Sequence, residues 1–61
     1  MKILVVDDEE DVREIITEFI IENFDIDVLQ AGTGMEAINC LENEQDIGLI
    51  IADYNLSLIH I

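Results

Sequence analysis

The chain has 61 residues, and fifteen Asp and Glu stand against Lys2 and Arg13 alone, a net charge of −13 at pH 7. A balance this acidic argues against nucleic-acid phosphates or anionic lipid as partners and favours a bound cation, although most of the acids belong to a solvated surface. With 51% apolar residues and no proline the chain reads as one small packed unit rather than a disordered tail, but a chain of this size buries only about 60% of its unfolded surface, so its stability is marginal.

Cys40 is the only cysteine, which rules out an internal disulfide and a Cys-rich metal site and suits a reduced, cytoplasmic setting. The opening MKILVVDDEE turns acidic after a short apolar run, unlike a signal peptide or a membrane span, so a soluble protein with no membrane partner is expected.

In chain order, Lys2 to Val6 is an uninterrupted aliphatic run, the habit of a strand buried on both faces of a parallel sheet. From Val12 the spacing of Val12, Ile15, Ile16, Phe19, Ile20 and Phe24 draws one stripe on a helix, with Glu9, Glu10 and Asp11 at its positive end. Asp25 to Gln30 predicts a poorer strand at a sheet edge, and Ala31-Gly32-Thr33-Gly34 punctuates the chain. Met35 to Glu44 predicts a second amphipathic helix with Met35, Ala37, Ile38 and Leu41 inward, and Ile47 to Ala52 a second buried strand.

The order βαβαβ predicts an α/β fold, a parallel sheet with right-handed crossovers and with the first and third strands as neighbours. Both of those strands run into aspartate: Val6 is followed by Asp7 and Asp8, and Ala52 by Asp53. In an open sheet of this kind ligands bind beyond the carboxyl ends of the strands. Three carboxylates gathered there repel unless something compensates, and Mg2+ suits the need because it takes hard oxygens and is held by few carboxylates plus waters and phosphate oxygens. Zinc suits it less, since His60, the sole histidine, lies far along the tail and Cys40 falls on a predicted helix remote from the aspartates. A carboxylate so placed can also accept a phosphoryl group as an acyl phosphate.

The segments ILVVDDEEDVREII, AGTGMEAI and DIGLIIADYNL, in this order and spacing, resemble the first part of a response regulator receiver domain, the phosphoacceptor module of two-component phosphorelay signalling. The resemblance covers residues 1–55 and implies part of a flavodoxin-like doubly wound sheet with strand order 2-1-3, the family's strands 4 and 5 being missing. It implies that Asp53 is the phosphoacceptor, Asp8 the direct acidic ligand of Mg2+ and Asp7 the acid that holds the ion through water. Asn55 would add its backbone carbonyl, and Asp53 completes the metal set. The phosphoryl group would come from a sensor histidine kinase, a phosphotransfer protein or a small phosphodonor. Such a module is not an enzyme in the ordinary sense, because it catalyses only its own phosphorylation and dephosphorylation, and its output domain is absent from this chain.

A complete member continues to a fourth strand ending in Ser or Thr and a fifth ending in Lys, and both are absent here. The contrasting expectation is therefore a truncated, inactive receiver fragment whose third strand is left as an exposed apolar edge. Residues 56–61, LSLIHI, carry no family pattern, and Ser57 stands where a proline is usual. They can be encoded by CTG TCT CTT ATA CAC ATC, a transposon end used as a sequencing adapter, so this segment is expected to be a non-native tail.

A third reading, a dinucleotide-binding enzyme fragment, rests on Gly32-x-Gly34-x-x-Ala37 with Asp53 nineteen residues past Gly34. The preceding strand is the poorest of the three, whereas that site needs a buried central strand. A dehalogenase-type phosphatase would need two aspartates two apart, and Asp7 and Asp8 are adjacent. Tyr54 and His60 carry no assigned role, and Cys40 reads as a small apolar residue.

Overall fold

The computed structural model describes residues 1–52 in full and the backbone of residues 57–60. In chain order it contains β1 (Lys2–Val6), α1 (Glu10–Asn23), β2 (Asp27–Ala31), α2 (Gly34–Asn43), β3 (Ile47–Ala52) and β4 (Ser57–His60). The sheet order is β2-β1-β3-β4. The first three strands are parallel in the order 2-1-3, the flavodoxin-like receiver arrangement, and β4 runs antiparallel to β3.

β1 lies between two parallel neighbours and is covered on both faces, which is why it tolerates no polar alternation. Ile3 and Val5 join Ile20 in one core cluster, with Ile16, Val28, Leu49 and Ile51 packed against it. Leu4 joins Ala31 and Ile47 in the other, together with Val6, Leu29, Ala37, Cys40 and Ile50. Cys40 thus sits half-buried as a small apolar residue. On the β3 side Lys2 pairs with Ile47 and Ile3 with Leu49, so Gly48 is the extra residue of a bulge at the start of that ladder.

Glu9, the N-cap of α1, makes no side-chain cap hydrogen bond, but Glu10 and Asp11 occupy the first turn as the macrodipole favours. α2 is capped by Thr33, whose Oγ1 accepts the Glu36 amide at 3.1 Å, while Glu36 reaches back to the Gly32 amide at 3.4 Å.

Both predicted helix stripes are wider than the faces that become buried. On α1 the buried residues are Thr17 and Ile20, whereas Ile15, Phe19 and Phe24 are 66%, 61% and 53% exposed. On α2 the inward side is Ala37 and Cys40, and Met35, Ile38 and Leu41 face solvent. The cause is placement: each helix packs chiefly over β1 and β2, and these apolar positions lie outside the faces that become buried.

The expected bare edge of β3 is also corrected, because Leu49 to Ala52 pair with His60 to Ser57. Four residues separate Ala52 from Ser57. A connection that short allows an antiparallel return, whereas a parallel strand needs a crossover of a dozen residues or more.

Thr17 is 7% exposed, and its Oγ1 has no hydrogen-bond partner among the described residues. A buried hydroxyl without a partner is a net cost that a methyl group of the same shape removes. Thr17→Val is expected to raise stability by about 1 kcal/mol, seen as a higher denaturation midpoint; a lower midpoint would show that the hydroxyl is satisfied.

At the amino edge of the sheet, Lys2 Nζ lies 2.9 Å from Glu44 Oε1. The hydrogen bond to Glu44, and next its charge, hold the ammonium above its ordinary value of 10.5, with Asp27 and Asp46 adding to the effect. A cation whose pKa is higher folded than unfolded contributes stability in full below 10.5 and loses it as pH rises through the folded value. Thermal midpoints measured from neutral pH to above 10.5 should fall at the alkaline end, and the fall should be smaller in Glu44→Gln; equal slopes would remove the pair from the account.

Candidate functional site

Val6 pairs with Ala31 on one side and with Ala52 on the other, so β1, β2 and β3 end in one row. The chain leaving that row forms a crevice of about 370 Å3 lined by Asp7, Asp8, Gly32, Thr33, Gly34 and the ends of β1 and β3. This is the carboxyl edge of the parallel sheet, where the sequence predicts the acidic site.

Asp7 is held at every polar backbone atom. Its amide donates to the Ala31 carbonyl at 3.1 Å, and its own carbonyl accepts from Arg13 Nη1 at 2.8 Å. The residue is only 2% exposed, and its Oδ1 accepts the Glu9 amide at 2.8 Å, which closes a tight turn from β1 into α1. Oδ2 carries no hydrogen bond from the described residues. Asp8, the next residue, is exposed and shares the same crevice. The local sequence dictates this contrast, since one residue continues the buried row and the next has left it.

Among the described residues these two acids line the crevice, and no group of three or more potential metal ligands comes together. The other two predicted site residues, Asp53 and Asn55, lie outside the described residues. The donor set in view consists of hard oxygens, one carboxylate half engaged in a turn and one open to water. This fits Mg2+, which keeps several waters and asks for one or two carboxylates.

Sequence reasoning passed over Arg13. Its Nε donates to Gln30 Oε1 at 3.0 Å while Nη1 holds the Asp7 carbonyl, so one planar group ties α1 to the ends of β1 and β2. A Cβ on Gly32 would stand 3.1 Å from that Nη1, so glycine leaves the guanidinium its room. The available signal was a lone arginine on the first turns of a predicted helix in a chain with fifteen acids.

The glycine turn does not behave as a dinucleotide fingerprint. No glycine has positive φ, and Gly34 is the first residue of α2 with open space around it. The Glu36 carboxylate already lies against the Gly32 amide, where an incoming pyrophosphate would meet like charge. β2, which feeds the turn, is an edge strand of the sheet.

A parallel 2-1-3 sheet with paired acids after its first strand defines a class, and comparison with known proteins identifies it. The response regulator receiver domain family matches residues 3–60, and the chain belongs to that family. Among curated proteins it is similar to the chemotaxis protein CheY homologs of Campylobacter jejuni subsp. jejuni serotypes O:23/36, O:6 and O:2. Each is 39% identical over 56 residues, which make up 92% of this chain and 43% of the relative. The chain thus spans less than half the length of the curated relatives it matches. No solved structure matches it at comparable significance.

Proposed function

We propose that this chain is the phosphoacceptor part of a two-component receiver, taking a phosphoryl group on Asp53 with Mg2+ as cofactor. The observation that carries the reading is the common row of strand ends. Asp7 follows Val6 at the crevice, and Ala52, which precedes Asp53 in sequence, lines the same crevice. Asp7 and Asp8 would hold the ion together with Asp53 and the backbone carbonyl of Asn55.

In the transfer an Asp53 carboxylate oxygen attacks the phosphorus of a phosphohistidine or a small acyl phosphate. The bond from phosphorus to the donor breaks, and the imidazole or carboxylate leaves with its electron pair. Bound Mg2+ supplies charge neutralisation on the phosphoryl oxygens. The chain's own residues fix the acids: the Glu9 amide holds Asp7, and the row of strand ends sets the crevice width. The partner is a sensor histidine kinase or a phosphotransfer protein, and turnover of an external substrate has no part in the reading. Net charge argues against direct nucleic-acid contact. No helix among the described residues is long and apolar enough to cross a membrane, and a cytoplasmic location is proposed on the same footing as the partner.

The contrasting reading is a receiver segment that keeps the motif without phosphotransfer. It is favoured by β3, whose residues after Ile47 are only half-buried. Incubating the chain with acetyl phosphate and Mg2+ and weighing it intact separates the two. A single phosphoryl adduct is expected, labile to hydroxylamine and lost in Asp53→Asn or with a chelator. An unmodified native chain would leave the contrasting reading.

We further propose that residues 1–55 are the receiver segment and that residues 56–61 are foreign to it, even though residues 57–60 pair with β3. The coding DNA is expected to read CTG TCT CTT ATA CAC ATC over Leu56 to Ile61, and other codons there would refute the idea.

A further inference from the structure

We propose that Arg13 is a positioning residue for the acidic crevice, its guanidinium fixing the turn from β1 into α1 in the geometry that offers Asp7 and Asp8 to a divalent cation. The proposal rests on the reading that the crevice takes such a cation. Its ground is the set of anchors around one side chain: the Asp7 carbonyl at 2.8 Å, the Gln30 side chain at 3.0 Å and the space left by Gly32. Two different nitrogens of a rigid planar fork make the two bonds, which an ammonium on a flexible stem does not reproduce. Without them the Asp7 carbonyl loses its partner at a residue that is otherwise buried, and the turn closed by the Glu9 amide loses one of its supports.

Charge alone argues against an arginine here. A cation beside two acids competes electrostatically with the metal they would hold, so removing it should tighten metal binding if charge were its whole contribution. Lys2, the chain's other cationic side chain, is engaged at the opposite end of β1 with Glu44. Positioning and charge therefore predict opposite signs for the same substitution.

The test uses the full chain as wild type, Arg13→Lys and Arg13→Gln, with Mg2+ affinity from calorimetry and amide hydrogen exchange by NMR without metal. In both variants the Glu9 amide is expected to exchange about tenfold faster, with the core amides of Leu4 and Val5 unchanged. Mg2+ is expected to bind about tenfold more weakly in both, although Arg13→Gln removes a positive charge. Tighter binding in Arg13→Gln with wild-type behaviour in Arg13→Lys would reduce the residue to a charge and overturn the proposal. Unchanged Glu9 exchange would overturn it as well. So would lost protection at Leu4 and Val5 along with Glu9, which would make Arg13 a prop of the whole fold. A wild-type chain that takes up no Mg2+ would refute the cation reading itself, and with it the role assigned to Arg13.

Discussion

Burial of β1 on both faces is the constraint on which the other placements rest. Five consecutive residues send Ile3 and Val5 to one side and Leu4 and Val6 to the other, and each side demands its own cover. α1 supplies one and α2 the other, which forces the chain to cross the sheet in both directions. The parallel pairing that results brings Val6, Ala31 and Ala52 level. Past Val6, Asp7 continues the buried row and Asp8 leaves it, and both stand at the crevice because β1 stops where it does.

The same geometry separates the two cationic side chains. Lys2 begins β1 and is taken up by Glu44 at the amino edge, while Arg13 lies across the carboxyl edge. Arg13 places its hydrogen bonds on a backbone carbonyl and on an amide side chain, and among the described residues no carboxylate is one of its partners. The acids at the crevice are thereby positioned without an ion pair to Arg13 among the described residues. That is the condition in which a site has affinity for an external cation.

How much of this could be read from sequence follows from what each pattern encodes. The bounds of β1 and β3 were legible because an aliphatic run that begins and ends abruptly has one structural use in an alternating α/β chain. The poorer run around Val28 was legible as an edge strand for the opposite reason, and it shifts to Asp27–Ala31. The helices were legible as helices, but periodicity reports which positions are apolar and cannot report which neighbours are present. Ile15, Phe19, Met35 and Ile38 were assigned inward on that basis and lie exposed. The acids were legible because Asp7 and Asp8 interrupt an apolar strand. Arg13 was not, since its partners are a carbonyl and residues 17 or more positions away, contacts that only the folded sheet brings together.

β4 shows how an edge and a face are different demands. Its antiparallel return satisfies the backbone hydrogen bonds along β3, which is what an unpaired edge lacks. It does nothing for the side chains that β3 turns above and below the sheet. On the α1 side Leu49 and Ile51 line a groove of about 390 Å3 with Ile3, Ile16, Phe19 and Ile20, and every residue bordering it is apolar. A parallel strand of this composition is ordinarily covered by helices on both faces. Here the helices pack chiefly over β1 and β2, and Leu49 and Ile51 are left half-buried. The curated relatives are more than twice as long as the matched segment, and the acidic crevice lies within the part they share with this chain.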